Sequence, residues 1–427
     1  MRLGTHSLRG VVCTDHEFRV PLDHSTPDGP GITVFAREVV ASGSEGKELP
    51  WLLWLNGGPG SKAPRPTSTG GWLGRALTEF RVLLLDQRGT GRSHPLNRTT
   101  LQVVGDPGAQ ADHLRHFRAD SIVRDAELIR RELLGEQGRW SVLGQSFGGF
   151  CLTTYLSLAP EGLAAAYFTG GLPSLDRSAA DIYRLTYRRT AEKNAEFFAR
   201  FPGDRDRVNA IVEHLRHHDV RLPTGERLTP RRFLTVGIQL GTRSGFDPLH
   251  YLLDESFVDG LDGPVLGDTF LGGVQQIVSF AARPLYAALH ESIYCQGGRS
   301  AWAAERVRTE FAEFDPDVPE PLFTGEMMYP FMFNEDPSLV PLRAAADLLA
   351  ERDGWPGLYD ERRLADNDVP CAAAVYYDDM FVPREYSLDT ARAIRGLRTW
   401  ITNEYEHDGV KESGAVFDRL LTMAGRR

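Results

Sequence analysis

A serine in a glycine-rich turn is the residue of this sequence whose surroundings best suit catalysis. Residues 144–148 read Gly-Gln-Ser-Phe-Gly and fit the pattern G-x-S-x-G, with Ser146 at the centre. The apolar run before this turn predicts a buried strand, and residues 150–158 predict a helix after it. Strand, sharp turn and helix form the context in which the pattern becomes a nucleophile elbow, which presents the serine hydroxyl above the sheet. We therefore predict Ser146 as a nucleophile; the alternative is a turn that only connects a strand to a helix.

The histidine that could activate this serine is found by elimination. A serine hydroxyl is a poor nucleophile until a base removes its proton and an acid orients that base. In enzymes with a nucleophile elbow, the acid and then the histidine follow the serine along the chain. After His290 the sequence contains one further histidine, His407, just past the apparent last strand. A loop there could bring its imidazole over Ser146, so we predict His407 as the base.

The acid should lie at the end of the strand that precedes His407. Residues 371–377 predict that strand, and Asp378 and Asp379 follow it directly. We prefer Asp379 because it lies four residues before Pro383, which marks the following turn. Asp378 is the alternative acid.

Acyl transfer also needs hydrogen-bond donors for the negative charge that develops on the carbonyl oxygen. The backbone N–H after the nucleophile belongs to Phe147. A second donor should come from the glycine-rich turn at 56–60, which follows the apolar run at 49–55, and we predict Gly58. The alternative is a glycine turn with a purely structural role.

The elements that must position these residues follow an alternating pattern. Strands are predicted at 49–55, from 81, at 140–144, 164–171, 371–377 and 399–403, with a helix at 120–134 and an N-terminal hairpin within 12–40. Alternation of this kind predicts an α/β fold with a mainly parallel central sheet flanked by helices. Residues 175–345 instead show amphipathic helix patterns, which we interpret as a large helical cap. The predicted organisation is a core at 1–174, the cap at 175–345 and the rest of the core at 346–427.

Composition and charge limit the class of protein. The formal net charge of −10 argues against nucleic-acid and anionic-membrane partners. The four cysteines are scattered without CxxC spacing, and three of them lie in apolar runs, which predicts reduced core thiols. The sequence has no apolar run of membrane-spanning length and its N-terminus lacks an apolar leader, so we expect a cytoplasmic protein. Composition leaves the oligomeric state open, and a homo-oligomer is possible.

Two other patterns could suggest ligand sites. His214, His217 and His218 have a spacing that could bind a metal on a helix, but no carboxylate or thiolate pattern accompanies them. The turn at 88–92 (RGTGR) is rich in glycine but lacks the lysine and the spacing of a phosphate-binding loop. We therefore expect neither a metal nor a cofactor.

Several segments together resemble one family. They are GGPG after a strand, DQRGTGRS, HFRADSIVRDAE, GQSFGGF and a late Tyr-Asp-Asp with EHDG. This set resembles the longer bacterial form of the prolyl aminopeptidase (proline iminopeptidase) family, which has the α/β-hydrolase fold. The resemblance implies that Ser146, Asp379 and His407 act as a triad and that the substrates are peptides with a free N-terminal proline. Asn56 departs from the family, which usually has histidine before GGPG.

The resemblance also implies a site for the α-amino group of the substrate, for which the family uses glutamates of the cap. The Glu-then-aromatic segment at 323–333 points to Glu326, and the segment at 289–294 offers Glu291 as a second carboxylate. Neighbouring aromatic residues, among them Tyr329, Phe331 and Phe147, could line an apolar pocket for a pyrrolidine ring. The alternative is that both glutamates are ordinary helix residues among core aromatics.

Two other functions fit parts of the sequence. A carboxylesterase or amidase could use the same triad, because the elbow does not determine the substrate. A non-catalytic binding protein with this fold would not need all three triad residues.

Overall fold

The computed structural model describes residues 1–261 and 263–425. Its strands, in chain order, are β1 (Arg2–Leu8), β2 (Val11–Pro21), β3 (Gly31–Ala41), β4 (Trp51–Leu55), β5 (Arg81–Leu85), β6 (Trp140–Gln145), β7 (Leu163–Thr169), β8 (Phe257–Gly260), β9 (Gly263–Leu266), β10 (Cys371–Tyr376) and β11 (Arg398–Thr402).

Helices follow most of these strands and fill the long segment between β7 and β10. In chain order they are α1 (Gly71–Ala76), α2 (Arg98–Gln102), α3 (Pro107–Leu114), α4 (Ala119–Leu134), α5 (Phe147–Leu158), α6 (Ala179–Arg200), α7 (Gly203–His217), α8 (Pro230–Leu234), α9 (Phe246–Asp254), α10 (Asp268–Val278), α11 (Pro284–Leu289), α12 (Ala303–Arg308), α13 (Met332–Glu335), α14 (Arg343–Ala350), α15 (Glu361–Ala365), α16 (Arg384–Ala393), α17 (Gly409–Glu412) and α18 (Gly414–Met423).

Nine strands form one sheet in the order β1-β2-β3-β5-β4-β6-β7-β10-β11. The pairs β1/β2, β2/β3 and β3/β5 are antiparallel, and every later pair is parallel. Because the carboxyl ends of parallel strands meet at one edge of a sheet, the loops after β4, β6, β10 and β11 converge there. Those four loops carry Gly58, Ser146, Asp379 and His407. The predicted α/β-hydrolase fold, with its mainly parallel sheet, is confirmed.

Strand β4 shows why the sheet lies in the middle of the molecule. All but its first residue are fully buried, and side chains alternate between the two faces of a strand. Leu53 and Leu55 pack into the core that includes α4 and α5. Leu52 and Trp54 pack into a second core that includes α1 and α18, where Trp54 stacks on Trp72 with ring centroids 4.1 Å apart. The strand is apolar throughout because helices cover both of its faces.

The helical segment between β7 and β10 lies outside the sheet order and contains α6 to α15. It also contains the two-stranded hairpin of β8 and β9, which the sequence patterns did not predict. The predicted domain boundary at 345/346 falls inside α14.

The structure describes the environment of the cysteines and the character of the helices. All four cysteines are buried free thiols. Among the described residues, no helix combines the length and the apolar character that crossing a membrane requires.

Candidate active site

Ser146 lies between β6 and α5 in a backbone conformation that side-chain-bearing residues rarely adopt. Its φ is 55° and its ψ is −127°. Its backbone N–H donates to the carbonyl oxygen of Thr169 at the end of β7, at 3.0 Å, and its own carbonyl accepts from Gly149 at 2.7 Å. These hydrogen bonds to neighbouring elements hold the strained turn, as the elbow motif requires.

The glycines around Ser146 are required by the close approach of backbones. A Cβ at Gly148 would lie 1.9 Å from the carbonyl oxygen of Leu55, the last residue of β4. A Cβ at Gly149 would lie 2.3 Å from the carbonyl oxygen of Gly171. Both distances are shorter than any real contact, so the first turn of α5 fits against β4 and the segment after β7 only with glycine at these positions.

A buried carboxylate orients the imidazole of His407. The Nδ1 atom of His407 lies 2.7 Å from Oδ2 of Asp379. The other oxygen of Asp379 accepts hydrogen bonds from the backbone N–H groups of Phe381 at 2.9 Å and Val382 at 3.0 Å. Asp379 is 1% exposed, whereas Asp378 is partly exposed. The structure thus brings Asp379, and not Asp378, to His407.

The surroundings of His407 act on its pKa in opposite directions. Burial favours the neutral imidazole, while the charge of Asp379 and its hydrogen bond, together with the more distant Glu326, favour the protonated form. The charged neighbours prevail and raise the pKa of His407 above its usual value. With Nδ1 bound to Asp379, Nε2 is the ring nitrogen that can exchange a proton with a hydroxyl.

Ser146 and His407 line one cavity of about 230 Å³. Its walls come from the loop after β4, the elbow, the cap and the loops after β10 and β11. The lining residues are Asn56, Gly57, Gly58, Ser61, Gln145, Ser146, Ile238, Gln239, Thr242, Arg283, Tyr286, Glu326, Phe381, His407, Asp408 and Lys411.

The glycine-rich loop after β4 lies directly against the elbow. A Cβ at Gly57 would lie 2.9 Å from Cβ of Ser146, and Gly58 lines the cavity with a φ of 150°. Phe147 is the first residue of α5, and the first N–H groups of a helix have no partner within the helix. Both predicted oxyanion donors therefore belong to segments next to Ser146.

Asn56, the residue that departs from the family pattern, fastens this loop. Its side-chain amide donates to the carbonyl oxygen of Lys62 at 3.0 Å, and its side-chain oxygen accepts from Nε1 of Trp54 at 3.2 Å. Its backbone carbonyl accepts from Gln87 at 3.0 Å. These three hydrogen bonds of Asn56 thus stabilise the conformation of the loop after β4.

Glu326 is the cap carboxylate that reaches the cavity. The hydroxyl of Tyr286 donates a hydrogen bond to its Oε1 atom. Its other oxygen lies 3.9 Å from Nε2 of His290, a buried ring whose pKa burial lowers. The cavity therefore holds a carboxylate between a phenol and an imidazole, in addition to Ser146 and His407.

Glu291 and Tyr329, the other two residues predicted to bind substrate, do not line this cavity. The carboxylate of Glu291 accepts from the backbone N–H groups of Ala303 at 3.1 Å and Ala304 at 2.9 Å, and so caps the N-terminus of α12. The hydroxyl of Tyr329 pairs with that of Tyr187 at 2.7 Å. Tyr329 also stacks on Phe331, with the ring centroids 5.3 Å apart, in a different part of the cap.

Sequence reasoning missed several residues of the cavity. Phe381 meets the ring of His407 edge-on with centroids 5.0 Å apart, and its position two residues after Asp379 could have signalled it. Gln145 lies next to the nucleophile, and its Nε2 donates to the carbonyl of His407 at 3.5 Å. Tyr286 and Arg283 come from the cap, where no sequence pattern connects them to the elbow.

The two patterns judged unsuited to ligand binding have structural partners. His214 stacks on His218, and His217 lies 2.7 Å from Glu213. Within 1–261 and 263–425, no group of three or more His, Cys, Asp or Glu side chains has an arrangement that could hold a metal ion. In the turn at 88–92, the buried Arg88 pairs with Asp125, its Nε donating at 2.7 Å.

The chain is similar to several known proteins. Residues 50–256 match a family model described as the alpha/beta hydrolase fold. The chain is 50% identical to a proline iminopeptidase of Aeromonas sobria over 419 residues, which covers 97% of each protein. It is 36% identical over 425 residues to a proline iminopeptidase of Aspergillus aculeatus, covering 96% of this chain and 93% of the relative. A solved proline iminopeptidase from Mycobacterium smegmatis is similar at 15% identity with a TM-score of 0.45, covering 96% of this chain and 98% of that one.

Proposed function

Because the chain belongs to the proline iminopeptidase family, with its α/β-hydrolase fold, we propose that it removes proline from the free N-terminus of peptides by serine catalysis. The chemistry is acyl transfer through an ester of Ser146.

In the first half of the reaction, the Oγ atom of Ser146 attacks the carbonyl carbon of the N-terminal proline while Nε2 of His407 takes the hydroxyl proton. Asp379 holds the imidazole by its Nδ1–H and stabilises the imidazolium that forms; the 2.7 Å separation supports this role. The backbone N–H groups of Gly58 and Phe147 stabilise the oxyanion. When the C–N bond breaks, His407 gives its proton to the departing amine.

In the second half, water attacks the prolyl ester on Ser146, with His407 again taking and returning a proton. The C–O bond to Ser146 breaks, and free proline leaves. No redox change or additional reactant is needed.

We assign recognition of the free amine to Glu326. The secondary ammonium of an N-terminal proline carries a positive charge and two N–H donors, and it loses much of its water on entering the cavity. A carboxylate in the same cavity as Ser146 compensates for that loss. Phe381, Ile238 and the ring of Tyr286 supply the apolar surface that a pyrrolidine ring can contact.

Glu326 is the single observation that favours an aminopeptidase over an esterase of the same fold. An esterase needs the elbow, the imidazole and the oxyanion donors, but it has no use for a carboxylate aimed at a substrate cation. Glu291 is not part of the proposal, because backbone N–H groups already occupy its carboxylate.

The test is steady-state hydrolysis of free-amine aminoacyl p-nitroanilides, with N-acetylprolyl p-nitroanilide and a neutral p-nitrophenyl ester beside them. We expect the prolyl substrate to be preferred and its acetylated analogue to be inert. Fast cleavage of the ester, with no preference for substrates that have a free amine, would identify an esterase instead. A binding protein would be indicated by two results together. Every substrate would be inert, and a fluorophosphonate would give no labelling that depends on Ser146, as judged with Ser146→Ala.

A further inference from the structure

Two cationic side chains of the cavity that holds Ser146 form no ion pair with the residues that the structure describes. Arg283 and Lys411 line the cavity, the first partly exposed and the second exposed. Neither makes an ion pair or a side-chain hydrogen bond with any other residue in the described part of the chain. The guanidinium of Arg283 lies over the ring face of Tyr286, 4.7 Å from the centroid. Cations left unpaired in a concave site leave their charge available to an anionic ligand.

The side chain of Tyr286 contacts both Arg283 and the carboxylate of Glu326. The hydroxyl of Tyr286 donates to Glu326, while Arg283 lies over its ring. The carboxylate and the guanidinium therefore contact the same aromatic side chain, one at its hydroxyl and the other at the face of its ring. A ligand that binds both the carboxylate and the guanidinium would need a cation and an anion separated by a few ångströms.

Lys411 has one charged neighbour of each sign on the wall of this cavity, Asp408 and Arg283. Although Lys411 is exposed overall, desolvation at the cavity wall and the nearby Arg283 lower its pKa, while Asp408, which lines the same cavity, favours the charged ammonium. A carboxylate from a ligand would relieve the repulsion between the two cations. Asp408 reduces the repulsion between Arg283 and Lys411, but its single negative charge does not neutralise both cations.

We propose that Arg283 and Lys411 form a subsite for the C-terminal carboxylate of the substrate, so that the enzyme selects prolyl dipeptides over longer or C-terminally blocked ones. The inference rests on the proposed function, in which Glu326 binds the N-terminal amine. In a dipeptide, a trans peptide bond sets consecutive Cα atoms about 3.8 Å apart, so the amine and the carboxylate lie roughly 6 Å apart. That span suits a ligand held between Glu326, at the hydroxyl of Tyr286, and Arg283, over its ring.

The test compares kcat/KM for prolyl-alanine and prolyl-alanine amide, which differ only in the terminal charge. We expect the wild type to prefer the acid by roughly 10-fold, the size of effect that a charge-assisted hydrogen bond gives. This preference should fall towards unity in Arg283→Gln, in Lys411→Gln and in the double variant, each ratio being taken within one variant so that changes in overall activity cancel. High ionic strength should reduce it too, since exposed cations are screened.

Arg299→Gln is the matched control, because Arg299 is an exposed arginine paired with Glu351 on the surface. It should keep the wild-type ratio. Equal rates on acid and amide in the wild type would overturn the subsite, and so would a preference that survives in the double variant. If both peptides resist cleavage while the neutral ester reacts, the proposed aminopeptidase function fails, and the subsite with it.

Discussion

At the scale of single residues, the contact between His407 and Asp379 has a consequence for pH dependence. The imidazole must be neutral to accept the proton of Ser146. Because Asp379 and Glu326 raise the pKa of His407, the neutral fraction grows only at higher pH than for an ordinary histidine, whose pKa is about 6.5. The acid limb of kcat/KM should therefore have its midpoint above that value.

Asp379→Asn should lower kcat roughly 10³- to 10⁴-fold, since an amide can neither hold the required tautomer nor stabilise the imidazolium. It should also move the acid limb to lower pH, because the charge that favours protonated His407 is gone. Both are measured from pH profiles on prolyl p-nitroanilide. Asp378→Asn, one residue away and partly exposed, is the control and should change neither quantity by more than a few-fold. An unmoved limb in Asp379→Asn would contradict the assignment.

Substitution of the two cap glutamates should affect different properties, activity for Glu326 and stability for Glu291. Glu326→Gln removes the charge offered to the substrate ammonium, and kcat/KM on prolyl p-nitroanilide should fall roughly 100-fold. Cleavage of a neutral ester should stay near the wild-type rate. Comparable losses on both substrates would show that Glu326 acts on the fold or the triad and not on the amine.

Glu291→Ala should instead act on stability. It removes the acceptor for the N–H groups of Ala303 and Ala304, which costs about 1–3 kcal/mol for buried donors left unpaired. We expect a lower midpoint of thermal unfolding with KM for the prolyl substrate little changed. A large rise in KM at unchanged stability would instead show that Glu291 binds the substrate.

At the scale of elements, the elbow works because two backbones approach more closely than side chains allow. Gly148→Ala should therefore disrupt the junction of β4 and α5, since its Cβ would lie 1.9 Å from the Leu55 carbonyl. We expect poor folding or loss of activity, measured by circular dichroism and fluorophosphonate labelling of Ser146.

Gly272→Ala is the control for that substitution. Gly272 lies within α10, and a Cβ there would meet nothing within 4 Å. Alanine should stabilise this helix by up to about 1 kcal/mol, because glycine is a poor helix former. Equal tolerance of both substitutions would contradict the close approach at the elbow.

At the scale of the whole molecule, α6 connects the cap to the second part of the core. The Nζ atom of Lys193, 5% exposed, lies 2.6 Å from Oε1 of Glu406, the residue before His407. Four residues earlier on the same helix, Arg189 pairs with Glu385 at the start of α16. The cap is thus fastened next to the histidine loop.

Lys193→Met should leave Glu406 without its cation and lower the free energy of unfolding by about 2 kcal/mol, less than for a fully buried pair because Glu406 is 20% exposed. The double variant with Glu406→Gln should recover part of that loss, which thermal unfolding of the four proteins would measure. Arg299→Gln, which breaks a surface pair, should change stability by less than about 0.5 kcal/mol. No recovery in the double variant would contradict a direct interaction.

The sequence by itself determined the elements of the core and the residues on their loops. The predicted strands at 49–55, 140–144 and 371–377 agree with β4, β6 and β10 to within two residues, because buried parallel strands are continuous apolar runs. The G-x-S-x-G pattern, the chain order and the positions of strand ends led to Ser146, Asp379 and His407, since parallel strands bring their carboxyl ends to one edge.

Other features were decided only by the tertiary structure. Exposed β1 and the hairpin of β8 and β9 lack a strong apolar pattern, so local sequence did not reveal them. In the cap, Glu326 and Glu291 look alike in sequence, yet one enters the cavity and the other caps α12. Arg283 and Lys411, more than 120 residues apart, meet at that cavity. Packing between distant parts of the chain decides which side of an irregular helical segment faces the elbow. The local periodicity of the sequence does not predict this.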